Sequence, residues 1–380
     1  MSKIYTALGT MSGTSLDGID FSIVETDGAE HLFLAKNKYF EFSNNLKQKI
    51  RAVKNKITTT NECKKVIKSK EYKDLSNEIT LFHQEGLIRT AGYGESNQID
   101  FIGFHGITLW HKPADKYTHQ IGDAKLLRKS IDKYKNLKNS KIIFNFREND
   151  IFNKGQGAPL TPIYHKALMK HLKIFDPRLI VNIGGITNVT YLNRGKMFST
   201  DIGPGNCLID KWTKKNFNKD FDEGGKIALK GKVNQNIANN FLNRLKKSQK
   251  NKNVSYDTSD FDISEFNNLS PKDGLATLSL ITAKAILDFA KDLDLNKIII
   301  CGGGRYNQAI LNNLKKERFS ISLIDHVKSS KNEDNILGLN GDFIESQAFA
   351  YLAVRSFLKL PISFPETTGC LRECTGGEKI

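Results

Sequence analysis

The sequence predicts an α/β protein with two lobes and a central cleft, and three observations support this fold class. Each half of the chain begins with a strand, a glycine-containing turn and two further strands, near 4–42 and again near 179–200. In each half, helices and strands then alternate, which is typical of layered α/β domains. The 380 residues are enough for two domains of ordinary size. We expect the glycine turns of both lobes to face the cleft.

The first half combines apolar runs of strand length with longer segments of helical spacing. A loop rich in Gly, Ser and Thr at 11–18 separates its first two strands. The predicted strands are 4–8, 19–26, 31–42, 99–104 and 142–146. The predicted helices are 44–55 and 72–92.

The second half opens in the same order, with a Gly-Gly turn between its first two strands. The likeness is one of element order, because no fixed sequence period is present. The predicted strands are 179–183, 187–192, 196–200, 297–301 and 319–324. The predicted helices are 205–218, 233–247, 274–291, 305–316 and 342–359.

The composition is that of a soluble globular protein, with 39% hydrophobic and 26% charged residues. No apolar run approaches the roughly 18 residues that a membrane span needs. The N-terminus lacks the basic, apolar and small-residue pattern of a secretory signal. We therefore expect a cytoplasmic protein that does not bind membranes.

The net charge of +16 raises the question of a nucleic-acid partner. The lysines are spread along the chain, and the densest run, 245–252, contains no aromatic residue and matches no nucleic-acid module. We expect small-molecule partners and no nucleic acid, since a positive field also suits an anionic substrate. A nucleic-acid binder stays an alternative, and a homodimer is one option for the oligomeric state.

The five cysteines are odd in number and mostly scattered, so a disulfide framework is not expected. Cys370 and Cys374 are close in sequence and could share a metal with partners elsewhere. Two thiols in a polar C-terminal tail are more often unpaired and reduced, which is the state we expect.

The segment 9–20 concentrates glycines, hydroxyls and acids within one predicted hairpin. Glycines let backbone N–H groups approach phosphate oxygens, and Thr14 and Ser15 would lie at the tip where a phosphate binds. Asp17 and Asp20 can hold Mg²⁺, directly or through its water. The alternative is an ordinary hairpin with turn-forming residues.

Two further glycine turns suggest a nucleotide site. The turn at 184–185 is the counterpart of the first hairpin, and the turn at 302–304 lies between a strand and a helix, where a base or ribose can pack on backbone. A plain strand-to-helix turn is the alternative for the latter. No Walker A or protein-kinase signature is present. The residues concerned are Gly184, Gly185, Gly302, Gly303 and Gly304.

Two carboxylates are candidates for catalysis. Asp201 ends a strand before a rigid Gly-Pro-Gly loop, where a carboxylate can act as a general base. Glu345 shares a helix face with Phe349 and Leu352, a costly position unless the acid is paired or functional. The alternatives are a turn-capping Asp201 and a Glu345 stabilised by the helix dipole.

Polar residues beside aromatic ones suggest a sugar site after the fourth and fifth strands. Several polar groups together favour a ligand, although a lone histidine there would more often be structural. The candidate substrate-binding residues are His105, Gln120, Arg147, Asp150 and Asn206.

In this order, these segments resemble the anhydro-N-acetylmuramic acid kinase family from residue 9 to about 369. The segments Met-Ser-Gly-Thr-Ser-Leu-Asp-Gly-Ile-Asp at 11–20 and Asp-Ile-Gly-Pro-Gly-Asn at 201–206 are highly specific. Cys-Gly-Gly-Gly at 301–304 and Gly-Asp-Phe-Ile-Glu-Ser-Gln-Ala-Phe-Ala at 341–350 agree with them. The resemblance implies the sugar-kinase/heat-shock-protein/actin superfamily, with a duplicated, actin-like, ribonuclease H-like fold.

The resemblance also implies an activity, because the members of this family are enzymes that use ATP and Mg²⁺ in cell-wall recycling. They open the 1,6-anhydro ring with water and phosphorylate oxygen 6, giving N-acetylmuramic acid 6-phosphate. Asp201 matches the family's catalytic base, and Glu345 would support the sugar side. The implied ATP segment comprises Gly13, Thr14, Ser15, Leu16, Asp17, Gly18, Ile19 and Asp20.

The implied lobes are 1–140 plus 350–380, with the first phosphate hairpin, and 141–349, with the second hairpin, the base and the adenosine segment. The chain departs from its relatives at Asn145, where they tend to have Asp, and at 151–154, where they tend to have small residues. Both departures lie near the presumed sugar side. A levoglucosan-type anhydro-sugar kinase and a non-catalytic actin-like ATPase are therefore the alternatives.

Overall fold

The computed structural model describes residues 2–13, 16–92, 98–248, 256, 258–327 and 339–380. The chain divides into two compact units, Met1–Ile174 with Lys328–Ile380, and Phe175–Val327. These boundaries differ from the lobe boundaries predicted after residues 140 and 349. The strand Lys141–Phe144 pairs within the first sheet, which explains why the segment after residue 140 groups with the first unit.

Helices and strands alternate along both units. The strands are β1 Tyr5–Met11, β2 Gly18–Thr26, β3 Leu32–Glu41, β4 Phe101–Phe104, β5 Ile107–Lys112, β6 Tyr117–Ile121, β7 Lys141–Phe144, β8 Arg178–Ile183, β9 Ile186–Asn193, β10 Lys196–Pro204, β11 Lys297–Cys301, β12 Ser320–Leu323 and β13 Glu378–Lys379. The helices are α1 Asn44–Asn55, α2 Thr60–Val66, α3 Lys70–Ala91, α4 Ala124–Ile131, α5 Glu148–Phe152, α6 Pro162–His171, α7 Cys207–Phe217, α8 Gln235–Ser248, α9 Pro271–Asp292, α10 Gln308–Leu314, α11 Ile344–Phe357 and α12 Pro365–Thr368.

The main sheet of the first unit has the order β13-β7-β4-β1-β2-β3. β1, β2 and β3 form an antiparallel meander, whereas β4 runs parallel to β1 and β7 parallel to β4. Because β1 is central, its carboxyl end carries the turn to β2 at the edge where β4 and β7 also end. Residues that follow these strands are thereby gathered at one edge of the sheet.

The sheet of the second unit repeats this topology, with the order β10-β9-β8-β11-β12. β8, β9 and β10 are antiparallel, and β11 and β12 run parallel to β8. When the strands are numbered within each main sheet, both sheets contain the order 3-2-1-4-5, which is the ribonuclease H-like arrangement. The predicted α/β class with duplicated element order is confirmed.

Helix α11 packs unusually close to the first sheet because two glycines face it. A Cβ at Gly9 would lie 2.1 Å from the carbonyl oxygen of Ser346, and one at Gly103 would lie 2.2 Å from that of Phe349. The hydroxyls of Ser22 and Ser346 are 2.6 Å apart. The small side chains on both faces thus fix the helix against β1, β2 and β4.

The second unit has its own apolar core around α9. Most of this 22-residue helix is buried, and Gly274 makes room for the ring of Trp212, since a Cβ there would lie 2.5 Å from it. Ser270 caps the helix by accepting from the N–H of Asp273 at 3.2 Å. No described helix is both long and apolar enough to cross a membrane.

Most predicted elements are present within a few residues, whereas several short ones have no counterpart in the prediction. The ribbon of β5 and β6 lies in a segment where polar residues interrupt the alternation. Helices α2, α4 and α6 are only 7, 8 and 10 residues long. Such lengths give too few periods for a helical pattern to be recognised.

Candidate active site

The turn between β1 and β2 carries the predicted ATP segment. Thr14 and Ser15 lie outside the described residues. Leu16 has a positive φ of 57°, and its N–H donates to the carbonyl of Gly13 at 3.3 Å, so the chain turns sharply here. The Leu16 side chain is buried in the core, which leaves backbone groups of this turn to meet a ligand.

The rest of the segment is shaped by packing. Gly18 pairs with Glu41 in the sheet, and a Cβ on it would lie 2.3 Å from the carbonyl oxygen of Phe40. Ile19 is fully buried. Gly18 and Ile19 therefore position the turn by packing against the rest of the protein, and neither offers a side chain to a ligand.

Four carboxylates gather where β2 begins and α11 starts. Burial raises the pKa of Asp20 to about 8, and three neighbouring carboxylates add to the shift. Clustered carboxylates are a donor set that suits Mg²⁺, which is commonly held by one or two of them together with phosphates and waters. In the described chain, these oxygens do not form a group of three within 4.8 Å of one another. The three neighbours are Asp17, Glu345 and Asp342.

Glu345 lies in the first turn of α11 and is half-buried. Burial raises the pKa of this carboxyl, and the nearby guanidinium of Arg147 opposes the shift. The other residues predicted on its helix face, Phe349 and Leu352, are buried. Glu345 thus interacts electrostatically with two groups: it raises the pKa of Asp20, and its own pKa is affected by the charge of Arg147.

Arg147 follows β7 and is held by neutral acceptors. Its Nε and Nη2 donate to His105 Nε2 at 3.1 and 2.9 Å, and its Nη1 donates to the carbonyl of Gly157 at 2.7 Å. Burial lowers the pKa of Arg147 to about 10, while the charges of nearby acids oppose the shift. His105 is only 4% exposed, so it supports Arg147 from behind.

Asp150 is buried beneath the loop that contains Gly157. Its Oδ2 accepts from the N–H of Gly157 and its Oδ1 from the hydroxyl of Thr368, both at 2.6 Å. A Cβ at Gly155 would lie 2.2 Å from this carboxylate. With 1% exposure, Asp150 is enclosed and holds the loop in place, and its role in substrate binding stays a prediction.

Gln120 lies on β6, and its Nε2 donates to the hydroxyl of Thr118 at 2.8 Å. The neighbouring His111 has its Nδ1 at 2.9 Å from the same hydroxyl and its Nε2 at 2.9 Å from the carbonyl oxygen of Gln156. The ribbon of β5 and β6 is thereby joined to the loop beside Arg147. The link of His111 to the loop was not predicted from the sequence.

The two C-terminal cysteines are buried, contrary to the polar tail expected from the sequence. Their sulfurs and the carboxylate of Asp150 lie within 4.8 Å of one another. Both are free, and burial raises the pKa of both thiols, that of Cys370 to about 12. Cys370 donates to the carbonyl of Arg372 at 3.1 Å, so it already has a hydrogen-bond partner.

In the second unit, the glycine turn between β8 and β9 is bound to the loop after β10. The carbonyl of Gly184 accepts from the N–H of Asn206 at 2.8 Å, and that of Gly185 from the N–H of Gly205 at 2.9 Å. Asn206 Nδ2 also donates to the carbonyl of Ile183 at 3.3 Å. Asn206, predicted to bind substrate, thus belongs to the second glycine turn.

Asp201 lies near the end of β10, at a bulge between Asp201 and Gly203 in its pairing with β9. The bulge bends the strand and re-aims the carboxylate, as bulges do near active sites. Asp201 is half-buried, and its Oδ2 accepts from the N–H of Tyr256 at 2.9 Å. A carboxylate that is held by a backbone donor and still partly exposed is suited to accept a proton.

The three glycines after β11 have different environments. A Cβ at Gly302 would lie 2.2 Å from Asn182 Oδ1, and one at Gly304 would lie 2.2 Å from Ile183 Cγ2. A Cβ at Gly303 would meet nothing within 4 Å. Gly302 and Gly304 therefore allow close packing on β8, and Gly303 is the position open to a ligand.

Arg305 is the residue of this loop that sequence reasoning missed. Its side chain is fully buried and forms an ion pair with Asp325, with Nε donating at 2.7 Å. Its Nη1 also donates to the carbonyl of Gly302 at 3.1 Å. The signal available was an arginine directly after three glycines, but its partner lies 20 residues later.

The family model for anhydro-N-acetylmuramic acid kinase matches residues 5–379. The chain is 38% identical to the anhydro-N-acetylmuramic acid kinase of Pelagibacter ubique, covering 99% of this chain and 98% of the relative. It is 35% identical to the enzyme of the same name from Brucella suis, covering all of both chains.

Among solved structures, the chain is similar to a ROK family glucokinase from Streptomyces griseus. The identity is 10% and the TM-score 0.39, over 92% of this chain and 99% of that one. A score this low does not support a fold assignment by itself, whereas the family match extends over nearly the whole chain. The chain therefore belongs to the anhydro-N-acetylmuramic acid kinase family.

Proposed function

We propose that this kinase hydrolytically opens the 1,6-anhydro ring of anhydro-N-acetylmuramic acid and phosphorylates oxygen 6. The product would be N-acetylmuramic acid 6-phosphate, and the reaction would serve cell-wall recycling. The observation that carries the proposal is the half-buried carboxylate of Asp201, held at a strand bulge within the family's Asp-Ile-Gly-Pro-Gly-Asn segment.

The reaction balances with Asp201 as the base. Asp201 takes a proton from water as the water oxygen bonds to the anomeric carbon, through an oxocarbenium-like transition state. The bond from that carbon to oxygen 6 breaks, and oxygen 6 attacks the γ-phosphorus of ATP. ADP leaves, so no separate strong acid is needed for the departing oxygen. Glu345 would support the sugar side from the start of α11.

Glycine turns in each unit offer backbone groups to a nucleotide. The first unit has the β1–β2 turn at Gly13; the second unit has the turn at 184–185 and the loop at 302–304, where Gly303 has open space. Asp17 and Asp20 would hold Mg²⁺, and the carboxylates around Asp20 fit this ion because they repel one another without a cation. When bound, Mg²⁺ would neutralise charge on the ATP phosphates.

A product assay tests the proposal. The purified protein is incubated with ATP, Mg²⁺ and, separately, anhydro-N-acetylmuramic acid, its N-acetylglucosamine analogue and levoglucosan, in ¹⁸O-water. Mass spectrometry at short times should show one phosphate and one ¹⁸O at the anomeric hydroxyl. Unlabelled product placed in the same water measures exchange of that hydroxyl with solvent.

The outcomes separate the alternatives. Phosphorylated product without ¹⁸O would indicate an ordinary hydroxyl kinase. Turnover of levoglucosan alone would move the protein to that substrate class. ATP hydrolysis without any sugar phosphate would favour a non-catalytic actin-like ATPase.

A further inference from the structure

The guanidinium of Arg147 has no anion in direct contact among the described residues. Its three hydrogen bonds go to the imidazole of His105 and to the carbonyl of Gly157. The acids that act on it electrostatically, Glu345 and Asp150, lie beyond ion-pair distance in the described structure. A partly buried charge whose acceptors among the described residues are all neutral is stabilised when an anion from outside completes the site.

His105 serves this guanidinium and is not available to a ligand. Arginine can only donate, so His105 Nε2 must be the acceptor and its Nδ1 must carry the hydrogen, which is directed at the carbonyl of Gly106 at 3.0 Å. The ring also packs on Phe349 at 4.4 Å between centroids. Burial and the adjacent Arg147 hold the pKa of His105 well below its usual range, so the ring stays neutral.

Two N–H groups of Arg147 remain after these hydrogen bonds are counted. A guanidinium has five donors, and one N–H on each terminal nitrogen is left over. The side chain is half-buried, so solvent or a ligand can reach it. A planar pair of donors matches the two oxygens of a carboxylate, and such charge-assisted pairs are stronger than neutral ones.

We propose that Arg147, positioned by His105, binds the carboxylate of the substrate's lactyl ether. This inference rests on the proposed function, because anhydro-N-acetylmuramic acid carries that carboxylate. Levoglucosan and anhydro-N-acetylglucosamine lack it, so the subsite selects acidic anhydro-sugars against neutral ones. Arg147 is thus assigned to substrate selection and His105 to the placement of Arg147.

The test compares two ligands that differ only in charge. Anhydro-N-acetylmuramic acid and its lactyl carboxamide are titrated calorimetrically into the protein without ATP, and both are also assayed as substrates with ATP. The wild type should bind the acid more tightly. Arg147→Gln should weaken binding of the acid by about 10- to 100-fold, the worth of a charge-assisted hydrogen bond, and change binding of the carboxamide little.

Three further variants distinguish the effect of a lost positive charge from the placement of Arg147 by His105. Lys129→Gln removes an exposed cation from α4, away from Arg147 in the sequence, and should leave both affinities unchanged. His105→Leu should mimic Arg147→Gln, whereas His105→Gln, which restores an acceptor for the guanidinium, should recover much of the preference. Circular dichroism and thermal unfolding verify that each variant is folded.

The calorimetric titration tests this inference separately from the proposed function, because it measures sugar binding without ATP and therefore without reaction. Equal affinity of the wild type for acid and carboxamide would overturn the subsite, whatever the turnover. So would an Arg147→Gln variant that loses both ligands equally. Selective binding of the acid without formation of a sugar phosphate would uphold the subsite and reject the proposed reaction.

Discussion

At the scale of single residues, the candidate site depends on carboxylates whose surroundings differ. Asp20 lies among other acids, and its pKa is raised to about 8. Asp150 is buried and accepts hydrogen bonds from Gly157, Thr368 and Cys374, so its carboxyl group holds a loop. Asp201 is partly exposed and accepts from the backbone N–H of Tyr256. Of the three, Asp201 has the surroundings expected of a base.

Asp201→Asn should lower turnover by about 10²–10⁴-fold, because the amide cannot accept the proton that water must lose. The variant keeps the shape of the side chain and an oxygen for the Tyr256 N–H, so ATP affinity should persist. Steady-state kinetics and nucleotide titration measure the two effects. Near-normal turnover would remove Asp201 from the base role.

At the scale of elements, the contact of α11 with the sheet positions two parts of the site together. Gly9 and Gly103 bring the helix backbone close to β1 and β4. This contact sets where Glu345, in the first turn of α11, lies relative to the β1–β2 turn. A helix placed by glycines facing its backbone has little freedom to shift.

Gly9→Ala should destabilise the protein by about 1–3 kcal/mol, the usual cost of overpacking a core. The added Cβ would lie 2.1 and 2.3 Å from backbone atoms of α11, which cannot rotate away as a side chain can. Urea unfolding measures the loss. Gly303→Ala is the control for stability, since its Cβ would meet nothing within 4 Å. Equal stability of Gly9→Ala and the wild type would contradict the close packing.

Helix α3 contains a buried histidine that should make the fold sensitive to acid. His83 is fully buried against Phe104, its Nδ1 lies 2.8 Å from the carbonyl of Ile79, and its Nε2 has no partner among the described residues. Burial lowers its pKa to about 4. The unfolded chain therefore binds more protons between about pH 6.5 and 4, and stability falls as the pH drops through that window.

Between pH 7 and pH 4, His83→Leu should lose about 3 kcal/mol less of its unfolding free energy than the wild type does. A pKa shift of 2–3 units corresponds to roughly that energy. The measurement is the free energy of unfolding in urea at several pH values. The exposed His326→Leu serves as the matched control and should keep the wild-type pH dependence. An unchanged slope in His83→Leu would show that this histidine is not the group responsible.

At the scale of the whole molecule, the two units differ in how the chain builds them. The second unit is one continuous stretch, Phe175–Val327, with a core of its own. The first unit is completed by the end of the chain, which adds α11 to one face of its sheet and β13 to the edge strand β7. Its core therefore depends on two segments that lie far apart in the sequence.

A fragment of residues 175–327 should fold alone and unfold cooperatively, because every described residue of its core lies between Leu179 and Leu323. Residues 1–174 should not, because they lack α11, whose buried side chains include Phe349 and Leu352. Circular dichroism with urea unfolding compares the two fragments. Cooperative unfolding of 1–174 alone would show that α11 is dispensable for that core.

The sequence by itself determined the elements with long or regular apolar patterns and the glycine-rich turns. The bounds of α1 and β11 were predicted to the residue, and the duplicated order was visible because each half repeats strand, turn, strand, strand. The specific segments around Asp20 and Asp201 identified the family. These are local signals, carried by neighbouring residues in the chain.

Only the tertiary structure decided which candidate side chains are bound to other parts of the chain. His105 and Asp150 read as substrate residues in the sequence, yet one is held against Arg147 and the other against Thr368, 218 residues away. The burial of Cys370 and the pairing of Arg305 with Asp325 were equally hidden. The physical reason is that hydrogen-bond partners and burial depend on contacts between distant segments, which no local pattern records.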